Sequence, residues 1–170
     1  MQVADREPLC VIAHLGGDAD MADVDLLRRL FLLRQRFWPD GETAHPVNLP
    51  ASSALRQRFS LEVLGQSVQE LAPYWNERYF HGTRPPPTVA SQAAVLLFVA
   101  RTPGGVGYVE RPAIAELPDG VRTLLCLSGP GAGQRLPPMA WRAGASYFAP
   151  PLTGASPPLR LRGHVERLPP

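Results

Sequence analysis

The sequence contains no lysine; all 17 of its basic residues are arginine. This excludes Schiff-base chemistry and a phosphate loop of the Gly-x-x-x-x-Gly-Lys-Ser/Thr type, because both require a lysine amine. No apolar run approaches the roughly 20 residues of a membrane span. Residues 1–15 have no signal-peptide core, so the chain is either cytoplasmic or separated from an export signal already removed. Cysteine is scarce. Cys10 and Cys126 show no metal-ligand spacing, and each sits in an apolar run. They read as buried core thiols, with a disulfide joining the first and last strands as the alternative, in an oxidising compartment only. The four histidines (His14, His45, His81, His164) are isolated, with no His-x-His, His-x-x-x-His or His-Glu-x-x-His arrangement.

What is present suits one globular domain. A chain of 170 residues, 45% hydrophobic and 19% charged, can bury a single core. The formal charge of +2 is too small to imply nucleic acid, and its placement is uneven. Residues 129–170 hold five arginines against one acid, Glu166, which leaves 12 basic and 14 acidic residues before them. Nine of the 20 prolines lie in this stretch with six glycines, so little regular structure is expected there. Trp141, Tyr147 and Phe148 suggest that part of it packs back. The expected organisation is an α/β domain over residues 1–128 and a Pro/Gly/Arg-rich extension over 129–170.

Alternating patterns predict the order β-α-β-α-α-β-α-β-β. Residues 9–13 read as a buried strand and 20–34 as a helix, with Val24, Leu27, Leu30 and Phe31 at helical spacing. Residues 38–41 are a turn and 45–49 a strand. A helix capped by Ser52 or Ser53 carries the stripe Leu55, Phe59, Val63. Ser67 and Glu70 match a capping box that should start a helix running to Phe80. A short strand at 88–90, a helix at 91–101 and strands at 106–109 and 121–127 complete the series. Strands alternating with helices predict a largely parallel sheet covered on both faces.

Catalytic motifs fail one at a time. Gly65-Gln66-Ser67-Val68-Gln69 lacks the last glycine of a nucleophile elbow. Gly129-Pro130-Gly131-Ala132-Gly133 has a proline where a phosphate cradle needs an amide donor. Acidic pairs Asp18/Asp20 and Asp23/Asp25 flank a helix start, where carboxylates favour the dipole whatever the function. No enzyme and no cofactor is expected. Two features ask for more. The strand-to-helix junction at 47–59 offers free backbone donors, with hydroxyls from Ser52 and Ser53 and a guanidinium from Arg56; together they form a candidate anion site. The aromatics Tyr74, Trp75, Tyr79 and Phe80 cluster, with Trp75 and Tyr79 expected in the core and Tyr74 at a surface.

In order, Leu26–Leu32, Trp38-Pro39-Asp40-Gly41, Pro46-Val47-Asn48, Arg56, Phe59, Val63-Leu64-Gly65, Tyr74-Trp75, Phe80-x-Gly82, Pro85-Pro86 and Thr102–Val109 resemble the phosphate-type periplasmic solute-binding proteins of ABC transporters, in their small single-domain form. The resemblance covers about 100 of the 170 residues. It implies an α/β fold forming a single lobe of a type 2 periplasmic-binding-protein-like architecture, a mostly parallel sheet flanked by helices, and export to the periplasm. The family's phosphate motif resembles Arg-x-Asp-Gly-Ser-Gly-Thr; here residues 49–55 read Leu-Pro-Ala-Ser-Ser-Ala-Leu, and only Ser53 matches. The resemblance therefore implies a non-enzymatic periplasmic binding protein acting through weak recognition of phosphate or another small oxyanion, or through an envelope or membrane-complex partner. An alternative is a structural or adaptor domain of a cell-envelope assembly, docking through residues 129–170.

Overall fold

The computed structural model describes residues 7–16 and 22–128. The expectations for Asp18, Asp20, the extension 129–170, Trp141, Tyr147, Phe148 and His164 lie outside the described residues.

The chain runs β1 (Leu9–His14), α1 (Val24–Phe31), β2 (His45–Pro46), α2 (Ala54–Phe59), α3 (Ala72–Phe80), α4 (Gln92–Arg101), β3 (Gly105–Glu110) and β4 (Val121–Leu127). The strands form one sheet in the order β2-β3-β1-β4. β1 is antiparallel to both β3 and β4, and only β2 and β3 pair in parallel. The expectation of a mostly parallel sheet is thus overturned. β2, β3 and β4 do run in one direction, but β1 is reversed and inserted between β3 and β4. One reversed strand in the middle converts two of three ladders. Helix–strand alternation reports that a connection is long; it does not report from which end the chain re-enters the sheet.

Both faces are covered. Tyr108 of β3 turns toward α1 and α2, where its ring stacks on Phe59 at 3.9 Å and 7° and meets Phe31 at 6.0 Å. Gly107, one residue earlier, faces α4 by the strand's two-residue period. A Cβ there would lie 2.5 Å from Val95 Cγ1 and 3.0 Å from Val47 Cγ1, so only glycine lets α4 seat this closely. Val95, Val99, Phe31, Phe59 and Tyr108 are all essentially inaccessible.

Local signals explain most helix ends. Asp23 caps α1 by accepting from Leu26 N at 2.7 Å, and Ser91 caps α4 through Ala94 N. α1 ends at Phe31 with Leu32 as its cap, and Leu33 takes a positive φ of 53°, so Arg34, expected within the helix, lies beyond its observed end. α2 continues as a wider π-helical turn (Ser60–Leu64) ended by left-handed Gly65. The Ser67–Glu70 box forms, with bonds of 2.7 and 3.1 Å, but encloses a separate turn. α3 begins only at Ala72, with Pro73 in its first turn. A helix started at Ser67 would place that proline in its interior, where its ring clashes with the carbonyl four residues back. The expected strand at 88–90 is a single bridge, Asn48 to Thr88.

Cys10 and Cys126 are a disulfide, not two thiols. They are direct cross-strand partners in the β1–β4 register, with Cα atoms 4.1 Å apart. Trp75 packs against the core as expected, but the two tyrosines exchange places. Tyr79 is 60% exposed, whereas Tyr74 is half-buried because its hydroxyl donates to Leu32 O at the end of α1.

Candidate functional site

The β2–α2 junction is built around a buried polar knot. Asn48 is almost wholly buried, with its N–H donating to Pro87 O at 2.8 Å and its carbonyl accepting from Val89 N at 2.8 Å. Tyr108 reaches the same spot from β3. Its hydroxyl donates to Asn48 Oδ1 at 3.2 Å and accepts from Leu49 N at 3.1 Å. Those bonds satisfy groups that the core would otherwise leave unpaired.

The expected site residues sit just beyond. Ser53 caps α2, its hydroxyl oxygen accepting from Arg56 N at 3.4 Å. Arg56 turns back toward the strand end and donates from Nη1 to Leu49 O at 3.2 Å, while its Nε is shielded from solvent without a partner. Ser52 is exposed on the preceding turn. Ser53 and Arg56 are therefore brought together, and Ser52 borders them in sequence. No acidic residue occurs between Thr43 and Leu61, so the segment itself supplies no carboxylate to compete for its donors. Asn48 and Tyr108, which hold this junction in place, were not among the expected site residues. They meet from positions 60 apart, and no local pattern marks them as a pair.

Burial raises the Tyr108 hydroxyl pKa above its usual value near 10, partly offset by the bond from Leu49 and the nearby Arg56 charge. A phenol whose folded pKa is raised stabilises the fold fully below the unfolded value and loses that contribution as pH climbs through the folded one. We expect denaturant midpoints to fall above about pH 10. Tyr108→Phe should remove that alkaline inflection while costing about 1–3 kcal/mol at neutral pH, because Leu49 N and Asn48 Oδ1 lose their partner. A pH series of urea melts on both proteins reads the two effects.

Among the described residues no group of three His, Cys, Asp or Glu could hold a metal. His14 shares a hydrogen bond with Val99 O and His81 with Glu77 O, both backbone carbonyls. An open groove of about 600 Å³ lies beside β4, lined by Glu7, Arg111, Ile114, Leu117 and Thr123 among others, and shares no residue with the junction. Among the described residues no helix is long and apolar enough to cross a membrane.

No protein-family model matches the sequence, and no curated protein is similar to it in sequence. Solved structures are similar in fold. A protein described as a phosphate ABC transporter substrate-binding protein with bound phosphate, from Clostridium perfringens, superposes with a TM-score of 0.54 at 14% identity, covering 71% of this chain and 45% of that one. PstS from Borrelia burgdorferi gives 0.52 at 14% identity, over 71% and 47%. An ABC-type phosphate transport receptor from Vibrio cholerae gives 0.49 at 14% identity, over 70% and 46%. The chain thus spans less than half the length of each of these structures, and it has the fold of that part of phosphate ABC transporter substrate-binding proteins.

Proposed function

We propose that the chain is a non-enzymatic periplasmic binding module, one lobe of a substrate-binding-protein fold, that recognises a small oxyanion weakly or acts through a partner protein. The observation that carries the reading is the junction of Ser52, Ser53 and Arg56, on a segment without a carboxylate, in a fold similar to that of a structure described with bound phosphate. Arg56 carries a guanidinium with five N–H donors, one of them used on Leu49 O, and the Ser53 hydroxyl can still donate while its oxygen caps the helix. Recognition would be weak for two reasons. One lobe leaves an anion open to water on its far side, which screens every charge–dipole contact. Moreover, Arg56 already spends one N–H on Leu49 O. The disulfide supports an oxidising compartment and hence the periplasm.

Isothermal titration with phosphate and with sulfate tests this. A dissociation constant of order 0.1–10 mM is expected, which is about 3–5 kcal/mol of binding free energy. Arg56→Ala should weaken it about tenfold or more, the loss of one charge-assisted hydrogen bond. No heat with either anion at millimolar concentration would leave the partner-protein half of the reading standing alone.

A further inference from the structure

The open groove of about 600 Å³ beside β4 has a definite length and direction. One wall is β4, the edge strand, through Thr123. Thr123 pairs with Ile12 and Ile12 with Gly107, so the groove lies on the α4 side of the sheet. The other wall follows β3: a single 3-10 turn, Arg111–Ile114, then Ala115 and Leu117. Arg111 N donates to Pro8 O, which sets the start of that wall beside Glu7. Val121 N donates to Pro118 O, which sets its end beside the first residue of β4, the partner of His14. The groove thus runs along β1 from Leu9 to His14, about 17 Å.

The chain leaves β4 at the Glu7 end. One guanidinium, that of Arg58, donates to Glu7 O at 2.7 Å and to Leu127 O at 3.2 Å, so the last residue of β4 abuts the mouth of the groove. Residues 129–170 continue from there. Gly129, Gly131 and Gly133 permit a reversal back along the groove. The first apolar run after them is Leu136-Pro137-Pro138-Met139-Ala140-Trp141, bounded by Arg135 and Arg142. Consecutive prolines favour polyproline II at about 3.1 Å per residue, so six residues span about 19 Å, close to the length of the groove. Pro137 and Pro138 have no N–H, so this run is a poor candidate to add a strand to β4, and its side chains must make the contact. The charges agree. Glu116 and Asp119 stand exposed around Leu117 at the far end, and Glu7 lies beside Arg111 at the mouth. Arg122 of β4 belongs to the opposite face by the strand's two-residue period.

We propose that the groove is the docking site of the chain's own Leu136–Trp141 segment, with Trp141 against Ile114 and Leu117 and Arg142 beside Glu116 and Asp119. A run that enters at the mouth reaches those residues in that order. The tether favours this occupant over any free peptide of the same sequence, because it holds the segment at a high effective concentration beside the groove. Basic flanks suit the acidic far end, and residues 129–170 as a whole hold five arginines against one acid. The proposal does not depend on anion binding at the β2–α2 junction, which shares no residue with the groove.

NMR of the full, disulfide-bonded chain tests it. Nuclear Overhauser contacts should join the Trp141 indole to the methyl groups of Ile114 and Leu117, and should persist on dilution. Trp141→Ser should shift the amides of Ile114, Leu117 and Thr123 while leaving those of α1 and α2 in place, which also shows that the variant is folded. Arg142→Glu should lower the ratio of docked to free segment about three- to tenfold, read as movement of the same amides partway toward their Trp141→Ser positions. Groove amides indifferent to Trp141→Ser, or contacts made by Tyr147 or Phe148 in place of Trp141, would overturn the proposal. So would contacts that disappear on dilution, since these would place a second copy's segment in the groove.

Discussion

Removing the disulfide with Cys10→Ala/Cys126→Ala is expected to destabilise the fold by about 2–5 kcal/mol, more than any other change outside the glycine turn. The two cysteines are 116 residues apart, so the bond closes nearly the whole described fold into one loop. In the chain-entropy account, a loop of about 100 residues restrains the unfolded ensemble by close to 5 kcal/mol, and measured values usually fall below this. The local setting adds to the effect. β4 is an edge strand held only by β1, and its ladder is broken by a register shift between Val11 and Ile12. The cross-link fixes the pairing on one side of that irregularity. Arg58 supports the same end, donating to Glu7 O and Leu127 O from α2. For a domain near 100 residues, 1 kcal/mol moves the melting temperature by about 4–8 °C, so the double variant should melt roughly 8–40 °C lower. Calorimetry of both proteins reads it directly. A shift under about 3 °C would mean that the bond restrains little. Both sulfurs belong to buried residues, so native protein should also resist a reductant until it unfolds.

Gly104→Ala should be comparably damaging, at roughly 3–5 kcal/mol. Three constraints meet at this residue. Its φ of +73° lies where a side chain is strained, at about 1 kcal/mol or more. A Cβ would sit 2.0 Å from Thr43 O, a backbone atom with nowhere to move. Its own peptide groups tie three segments together: Gly104 N donates to His14 O, while Gly104 O accepts from His45 N and from the Trp38 indole. Displacing it therefore disturbs the ends of β1 and β2 as well as the Trp38 turn. Gly107→Ala should cost less, about 1–3 kcal/mol, because its backbone needs no positive φ and the close contacts, Val95 Cγ1 at 2.5 Å and Val47 Cγ1 at 3.0 Å, are with side chains and not with backbone. Gly41→Ala is the control: its φ is +91° but a Cβ meets nothing within 4 Å, so about 1 kcal/mol of backbone strain is all that is lost. Urea midpoints at unchanged slope should rank the variants Gly104, Gly107, Gly41 from most to least damaging. Equal losses at Gly104 and Gly41 would refute the steric part of this account.

The Gly104-Gly105-Val106-Gly107-Tyr108 run shows what could be read from the residues and what could not. Its order within the chain supported a resemblance, and the structure supplies its reason: a left-handed turn, then alternate faces for α4 and for the aromatic cluster. Caps such as Asp23 and Ser91 were legible because capping is decided within four residues. The direction of β1 was not, because strand sense depends on the path of nearly 90 intervening residues. The Cys10–Cys126 bond hides for the same reason, since pairing needs the β1–β4 register. At the candidate site, Ser53 and Arg56 were visible as a strand-to-helix junction. The Asn48–Tyr108 contact that fixes their position was not, being formed between segments with no local sign of each other. Tyr79 fell outside the core because Tyr74 and Arg78 anchor α3 to Leu32 O and Leu33 O, which turns the helix the other way.

The central claim, that the β2–α2 junction is a weak anion site on a binding fold, is tested most directly by residue-resolved titration. In amide-resolved NMR spectra of the full chain, phosphate added to about 20 mM, several-fold above a millimolar dissociation constant, should shift the backbone amides of Ser53–Arg56 along saturating curves. The same shifts should collapse in Arg56→Ala. Amides that stay still at the junction, or that move equally in the wild type and in Arg56→Ala, would contradict it.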